Sequence, residues 1–188
     1  MNHTPQIKKA IQFAARKHHG QFRIANLGGP LPYVTHLFSV ALLVAEDGAH
    51  DDVVTAALLH DTIEDTGTTR EEIVSAFNER VAELVEAVSE KKGLDWKERK
   101  AEYLARMETV DDEALLIAIA DKIDNVESRT DEYAQEGESF LSYFGQPNEE
   151  YLWFYGEALR IAETRLPEHS LTKRYAEACA RQKEVFLT

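Results

Sequence analysis

The chain has 188 residues, enough to bury a substantial core, and a single domain spanning 1–188 is the expectation. Its formal net charge of −13 argues against nucleic acid and against an anionic membrane surface, since both need Lys and Arg to neutralise phosphates. The lone cysteine, Cys179, can form no intramolecular disulfide, no apolar h-region opens the chain, and no span reaches membrane length, so the cytoplasm is the expected compartment.

Helical punctuation dominates the chain. Thr4 and Pro5 make an N-cap and N1 pair for a helix carrying Ile7, Ala10, Ile11, Ala14 and Ala15, which runs out near Gly20. Residues 24–33, with two Gly and two Pro, form a loop. Thr35 can cap the next helix, with Leu37, Val40, Ala41, Leu43 and Val44, ending near Gly48. Asp51 and Asp52 start a third helix that continues through Leu58 to Ile63. A capping box at Thr69–Glu72 opens a short helix to about Phe77, and another helix, with Val81, Leu84, Val85 and Val88, reaches about Glu90.

Residues 96–108 read as a charged helix anchored by Trp96, Tyr103 and Leu104. Asp111 or Asp112 caps a long helix containing "ALLIAIADKIDNV" (114–126). Residues 134–147 read as a loop with aromatic anchors Phe140, Tyr143 and Phe144. Two final helices occupy roughly 148–165 and 170–186. With no period-2 pattern of useful length, the expected fold is all-α: amphipathic helices around one core.

One stretch is chemically unusual. In "LLHDTIEDT" (58–66), His60, Asp61, Glu64 and Asp65 follow directly on an apolar run. Residues four apart on a helix share a face, so His60 and Glu64 stack, as do Asp61 and Asp65. Unpaired carboxylates packed this closely cost several kcal/mol each to bury, and a divalent cation removes the conflict. Asp121, inside a second apolar run, and His36, just after the Gly/Pro loop, complete a set of two His and two Asp. Mixed imidazole and carboxylate ligands suit Mn²⁺, Fe²⁺ or Zn²⁺. Taken singly, each residue has a plainer use: His36 at a surface or helix start, Asp121 paired with Lys122 or Arg106, Asp65 in the last turn of its helix.

Together the motifs resemble the HD superfamily of metal-dependent phosphohydrolases, and more fully the hydrolase domain of the RelA/SpoT homologues, especially the small alarmone hydrolases. The resemblance rests on "AARKHHGQFR" (14–23), "PYVTH" (32–36), "AALLHDTIEDT" (56–66), "ADKIDN" (120–125) and "YLWFY" (151–155), and covers roughly residues 7–160. It implies metal ligation, with Mn²⁺ the first expectation, by His36, His60, Asp61 and Asp121, and handling of the attacking water by Glu64 and Asp65. It also implies hydrolysis of the 3′-pyrophosphate of guanosine tetra- or pentaphosphate, with Arg23 on substrate phosphates, Asn125 on the sugar and Ser128 on the ligand. Departures from the pattern are Ile24 for a Lys, a longer loop before Tyr33, and Glu127 for an Arg. They keep open the same chemistry on another nucleotide or phosphorylated cofactor; a reading from a different class is a non-catalytic, nucleotide-sensing helical module.

Overall fold

The computed structural model describes residues 4–23 and 29–187. Among these the regular structure is all helical, apart from one isolated antiparallel bridge between Phe22 and Pro32. The expected all-α architecture is the observed one.

Helix α1 (Pro5–Lys17) starts where Thr4 accepts a hydrogen bond from the Ile7 amide and buries Ile7, Ala10 and Ala14. Helix α2 (Val34–Glu46) begins one residue before the expected cap. The Thr35 hydroxyl instead donates back to the Pro32 carbonyl at 2.8 Å. Helix α5 (Arg70–Ala76) is capped by Thr69, α6 (Glu79–Val88) by Asn78 and α7 (Trp96–Met107) by Asp95, each side chain taking an otherwise orphaned amide.

The expected single helix from Asp51 to Ile63 is two. Helix α3 (Asp51–Leu59) stops, His60 and Asp61 form a turn, and α4 (Thr62–Thr66) resumes. The Thr62 hydroxyl donates to the Leu59 carbonyl at 2.6 Å, occupying an acceptor that a continuous helix gives to a backbone amide. Gly67, at φ 70°, takes the left-handed conformation that ends α4.

Helix α8 (Asp112–Glu136), capped by Asp111, is the central element. It packs against α2, α3, α6 and the two terminal helices, α10 (Asn148–Arg165) and α11 (Ser170–Leu187). Its first half buries Leu115, Ile117, Ala118, Ile119, Ala120 and Ile123, so Asp121 sits inside an apolar ridge. The helix continues ten residues past Val126, and the expected 134–147 loop contains the short α9 (Glu138–Leu141). Phe140 is buried there as expected, whereas Tyr143 is 53% exposed.

The bridge at Phe22 braces the entry to α2. The Arg23 amide donates to the Leu31 carbonyl, and the Tyr33 amide to the Gln21 carbonyl, both at 2.9 Å. These bonds close the base of the Gly/Pro loop and set Arg23 and Tyr33 on one edge.

Candidate metal centre and adjoining cleft

Three apolar helices deliver the polar groups to one point. His36 lies in the first turn of α2, His60 and Asp61 in the turn between α3 and α4, and Asp121 midway along α8. One ligand atom each from His36, His60 and Asp121 falls within 4.8 Å of the others, and all three residues are buried. His36 Nε2 is 3.1 Å from Asp121 Oδ1 and 3.7 Å from Asp61 Oδ2. His60 Nε2 is 3.1 Å from Asp61 Oδ2 and 3.7 Å from Asp121 Oδ1.

Both rings are oriented from behind. His60 Nδ1 contacts the Ala57 carbonyl at 2.9 Å, and His36 Nδ1 contacts Asp124 Oδ2 at 2.6 Å. A proton on each Nδ1 leaves both Nε2 lone pairs facing the cluster. His60 Nε2 is buried there with no hydrogen-bond partner. Two imidazole nitrogens and two carboxylates therefore converge with an unsatisfied acceptor among them, a donor set that could hold a divalent cation. Burial opposes a charge on His60, but without a cation the Asp61 and Asp121 carboxylates outweigh it and raise its pKa well above the usual value; a cation on Nε2 would take the place of that proton.

The carboxylates are also held. The Tyr33 hydroxyl donates to Asp61 Oδ2 at 2.7 Å. Asn125 Nδ2 donates to Asp121 Oδ1 at 2.5 Å, and Lys122 pairs with Asp121 Oδ2. Asp121 thus has the Lys122 pairing its local sequence suggests and also faces the histidines. The Lys122 ammonium lies 4.5 Å from the Tyr103 ring centroid, so its charge is enclosed by the core.

Glu64 and Asp65 both line a cavity of about 140 Å³ around this cluster, together with His60, Asp61, Lys100 and Lys122. The straight-helix stacking expected for them is replaced by the bent α3–α4 junction, which still turns all four groups of the stretch into one space. Glu64 Oε2 accepts the Glu90 amide at 3.0 Å; burial raises its pKa against the lowering effect of that bond, and the Glu90 and Asp61 charges add to the rise. Burial and then the Asp61 charge push Asp65 up to about 6.

A second, larger cleft of about 510 Å³ opens beside the first. Arg23, Asn125 and Ser128 line it, as do Phe22, Leu31, Phe140 and Phe144. Tyr33, Asp65 and Asn125 line both spaces and connect them. Arg23 Nη1 donates to Asn125 Oδ1 at 3.3 Å, so a bonded chain runs from Arg23 through Asn125 to Asp121.

Two departures from the motif pattern are placed differently. Glu127 points away from both spaces and is paired through both oxygens with Arg174 of α11 at 3.0 Å. Ile24 lies outside the described residues. Arg129 is buried at the inner side of the cleft, where the Tyr151 and Phe186 rings flank its guanidinium at 4.7 and 4.6 Å. Sequence reasoning misses the Tyr33 hydroxyl and Asp124. Their signal was available in position alone: Tyr33 stands three residues before His36, and Asp124 three residues after Asp121.

Comparison with known proteins agrees with this geometry. The HD domain family model matches residues 10–140, and the chain belongs to that family. It is 40% identical over 129 residues to a guanosine-3′,5′-bis(diphosphate) 3′-pyrophosphohydrolase of Aquifex aeolicus, a match covering 67% of this chain and 18% of that protein. It is 39% identical over 123 residues to the human guanosine-3′,5′-bis(diphosphate) 3′-pyrophosphohydrolase MESH1, covering 64% of this chain and 68% of that protein. A solved structure described as a metazoan ortholog of SpoT that hydrolyzes ppGpp superposes with a TM-score of 0.78 at 25% identity, over 98% of this chain and 99% of that one. The Listeria monocytogenes protein lmo0812 superposes at 0.73 with 31% identity, over 81% and 99%.

Proposed function

We propose that the protein is a metal-dependent phosphohydrolase that removes the 3′-pyrophosphate of guanosine tetra- and pentaphosphate, giving GDP or GTP and pyrophosphate, in the cytoplasm. The observation that carries the reading is the buried convergence of His36, His60 and Asp121 with Asp61 alongside, opening into a cleft lined by Arg23, Asn125 and Ser128. The named activities of the relatives support the choice of substrate.

His36, His60, Asp61 and Asp121 would hold one divalent cation, Mn²⁺ by preference, with Zn²⁺ and Fe²⁺ compatible with the same donors. Such a cation supplies charge for a phosphoryl oxygen and lowers the pKa of water toward neutral. Asp65, which lines the same space as the candidate ligands His60, Asp61 and Asp121, would accept the proton of the attacking water. Glu64, fixed by the Glu90 amide, orients the attacking water. Arg23 binds substrate phosphate, where a planar guanidinium suits oxyanions, while Asn125 bonds the sugar and Ser128 contacts the ligand. Glu127 adds no repulsion to this cleft, because Arg174 neutralises it outside.

The test is incubation of metal-loaded protein with ppGpp beside a panel of common nucleotides. GDP and pyrophosphate as the dominant products are expected. Intact ppGpp with Mn²⁺ present would sink the reading, and faster turnover of another nucleotide would reassign the substrate.

A further inference from the structure

Asp124 lines neither cavity, yet it touches both functions. Its Oδ2 is 2.6 Å from His36 Nδ1 and 3.6 Å from Arg23 Nη2. On its other side the His36 ring presents Nε2 to Asp121 at 3.1 Å. Arg23 in turn reaches Asn125 at 3.3 Å. One carboxylate oxygen therefore stands between a candidate metal ligand and a candidate phosphate-binding cation, two groups that come from different parts of the chain.

We infer that Asp124 is a positioning residue that couples the metal centre to the substrate cleft, fixing His36 for the cation and drawing the Arg23 head inward over the cleft. The inference rests on the proposed roles of His36 and Arg23. A carboxylate on Nδ1 fixes the tautomer, so that Nε2 is the free donor, and raises its basicity toward a metal. The same negative charge gives Arg23 a fixed inner partner. The bridge between Phe22 and Pro32 locates only the backbone of Arg23, and its guanidinium is held by Asp124 together with the 3.3 Å bond to Asn125. Asp124 is one turn along α8 from Asp121, so the same rigid helix that carries a ligand carries the group that aims its neighbour.

The test uses the full chain, stripped of metal, with D124N, D124L and R23Q. Calorimetric titration with Mn²⁺ reads the metal half without turnover. Steady-state kinetics on ppGpp read the other half. D124N is expected to weaken Mn²⁺ binding about 10-fold and D124L up to about 100-fold, the range found for carboxylates behind metal-bound histidines. Both should also raise KM, whereas R23Q should raise KM and leave Mn²⁺ affinity unchanged. D124N keeps the volume of Asp124 and its amide oxygen can still accept the His36 Nδ1 proton, so it should fold and it carries the test if D124L does not. Mn²⁺ affinity equal to wild type in D124N overturns the inference while leaving the metal centre standing. Weakened Mn²⁺ binding with an unaltered KM overturns the coupling to Arg23. Wild-type protein that binds no Mn²⁺ removes the metal centre and the inference together.

Discussion

The two spaces that meet at Tyr33, Asp65 and Asn125 are built from opposite materials. The smaller one is walled by carboxylates, a histidine and two lysines, and each candidate metal ligand is tied to something behind it. His60 rests on the Ala57 carbonyl, His36 on Asp124, Asp61 on Tyr33, and Asp121 on both Asn125 and Lys122. The larger one is lined by Phe22, Leu31, Phe140 and Phe144, with polar groups among them. There Arg23 is held by longer contacts, at 3.3 and 3.6 Å. Buried charge demands this close bracing, because an unpaired ion in a low-dielectric site costs several kcal/mol. An apolar lining carries no such demand. Damage to the first space should therefore show in turnover, and damage to the second in binding.

Substitutions that test this contrast fall in a clear order. His60→Ala, or removal of metal with a chelator, should have the largest effect. Loss of several kcal/mol of transition-state stabilisation corresponds to at least about a 1000-fold fall in kcat. Restored activity on adding Mn²⁺ back to chelated wild type, but not to His60→Ala, checks it. Next, Asp65→Asn and Glu64→Gln should each lower kcat by roughly 100- to 10,000-fold with little change in KM. A KM effect dominating in either would move that residue to the recognition side. Arg23→Gln should act the other way, raising KM by roughly 10- to 100-fold, equivalent to one lost charge-assisted hydrogen bond of about 1.5–3 kcal/mol. Glu127→Ala should leave both constants within about 2-fold of wild type, since its partner is Arg174 and surface pairs of this kind contribute little.

The smallest effect lies far from both spaces. Arg80 hydrogen-bonds Glu113 and holds its carboxyl below the usual glutamate range. A depressed folded-state pKa contributes stability above the unfolded value and loses it as pH falls through the folded one. Glu113→Gln should therefore cost about 0.5 kcal/mol near neutral pH, a partly exposed pair being well screened. The gap to wild type should close below the ordinary glutamate pKa. Denaturant melts at neutral and acid pH measure it.

The Thr4 and Thr69 caps can be read directly from sequence, and the α8 cap narrows to Asp111 or Asp112, because each is settled by a side chain and an amide three residues away. The His-Asp and Glu-Asp pairs are legible for a related reason: acids beside an apolar run are costly unless something compensates them. The apolar periodicity leaves open the break at His60 and Asp61, because the Thr62 hydroxyl takes the Leu59 carbonyl and a threonine inside a continuous helix would give the same pattern. It also cannot show that Glu127 turns outward, since Arg174 lies 47 residues away.

Helices, caps and the kinds of group available for chemistry are thus written in the chain itself, since all of them depend on neighbours within a turn or two. Only packing settles which oxygen of Asp121 faces His36 and which faces Lys122. Packing also brings Tyr33 and Asp124 into the site, through contacts spanning 28 and 88 residues. Hydrogen bonds are fixed by direction and distance in space, and those are set only when α2, the α3–α4 turn and α8 come together.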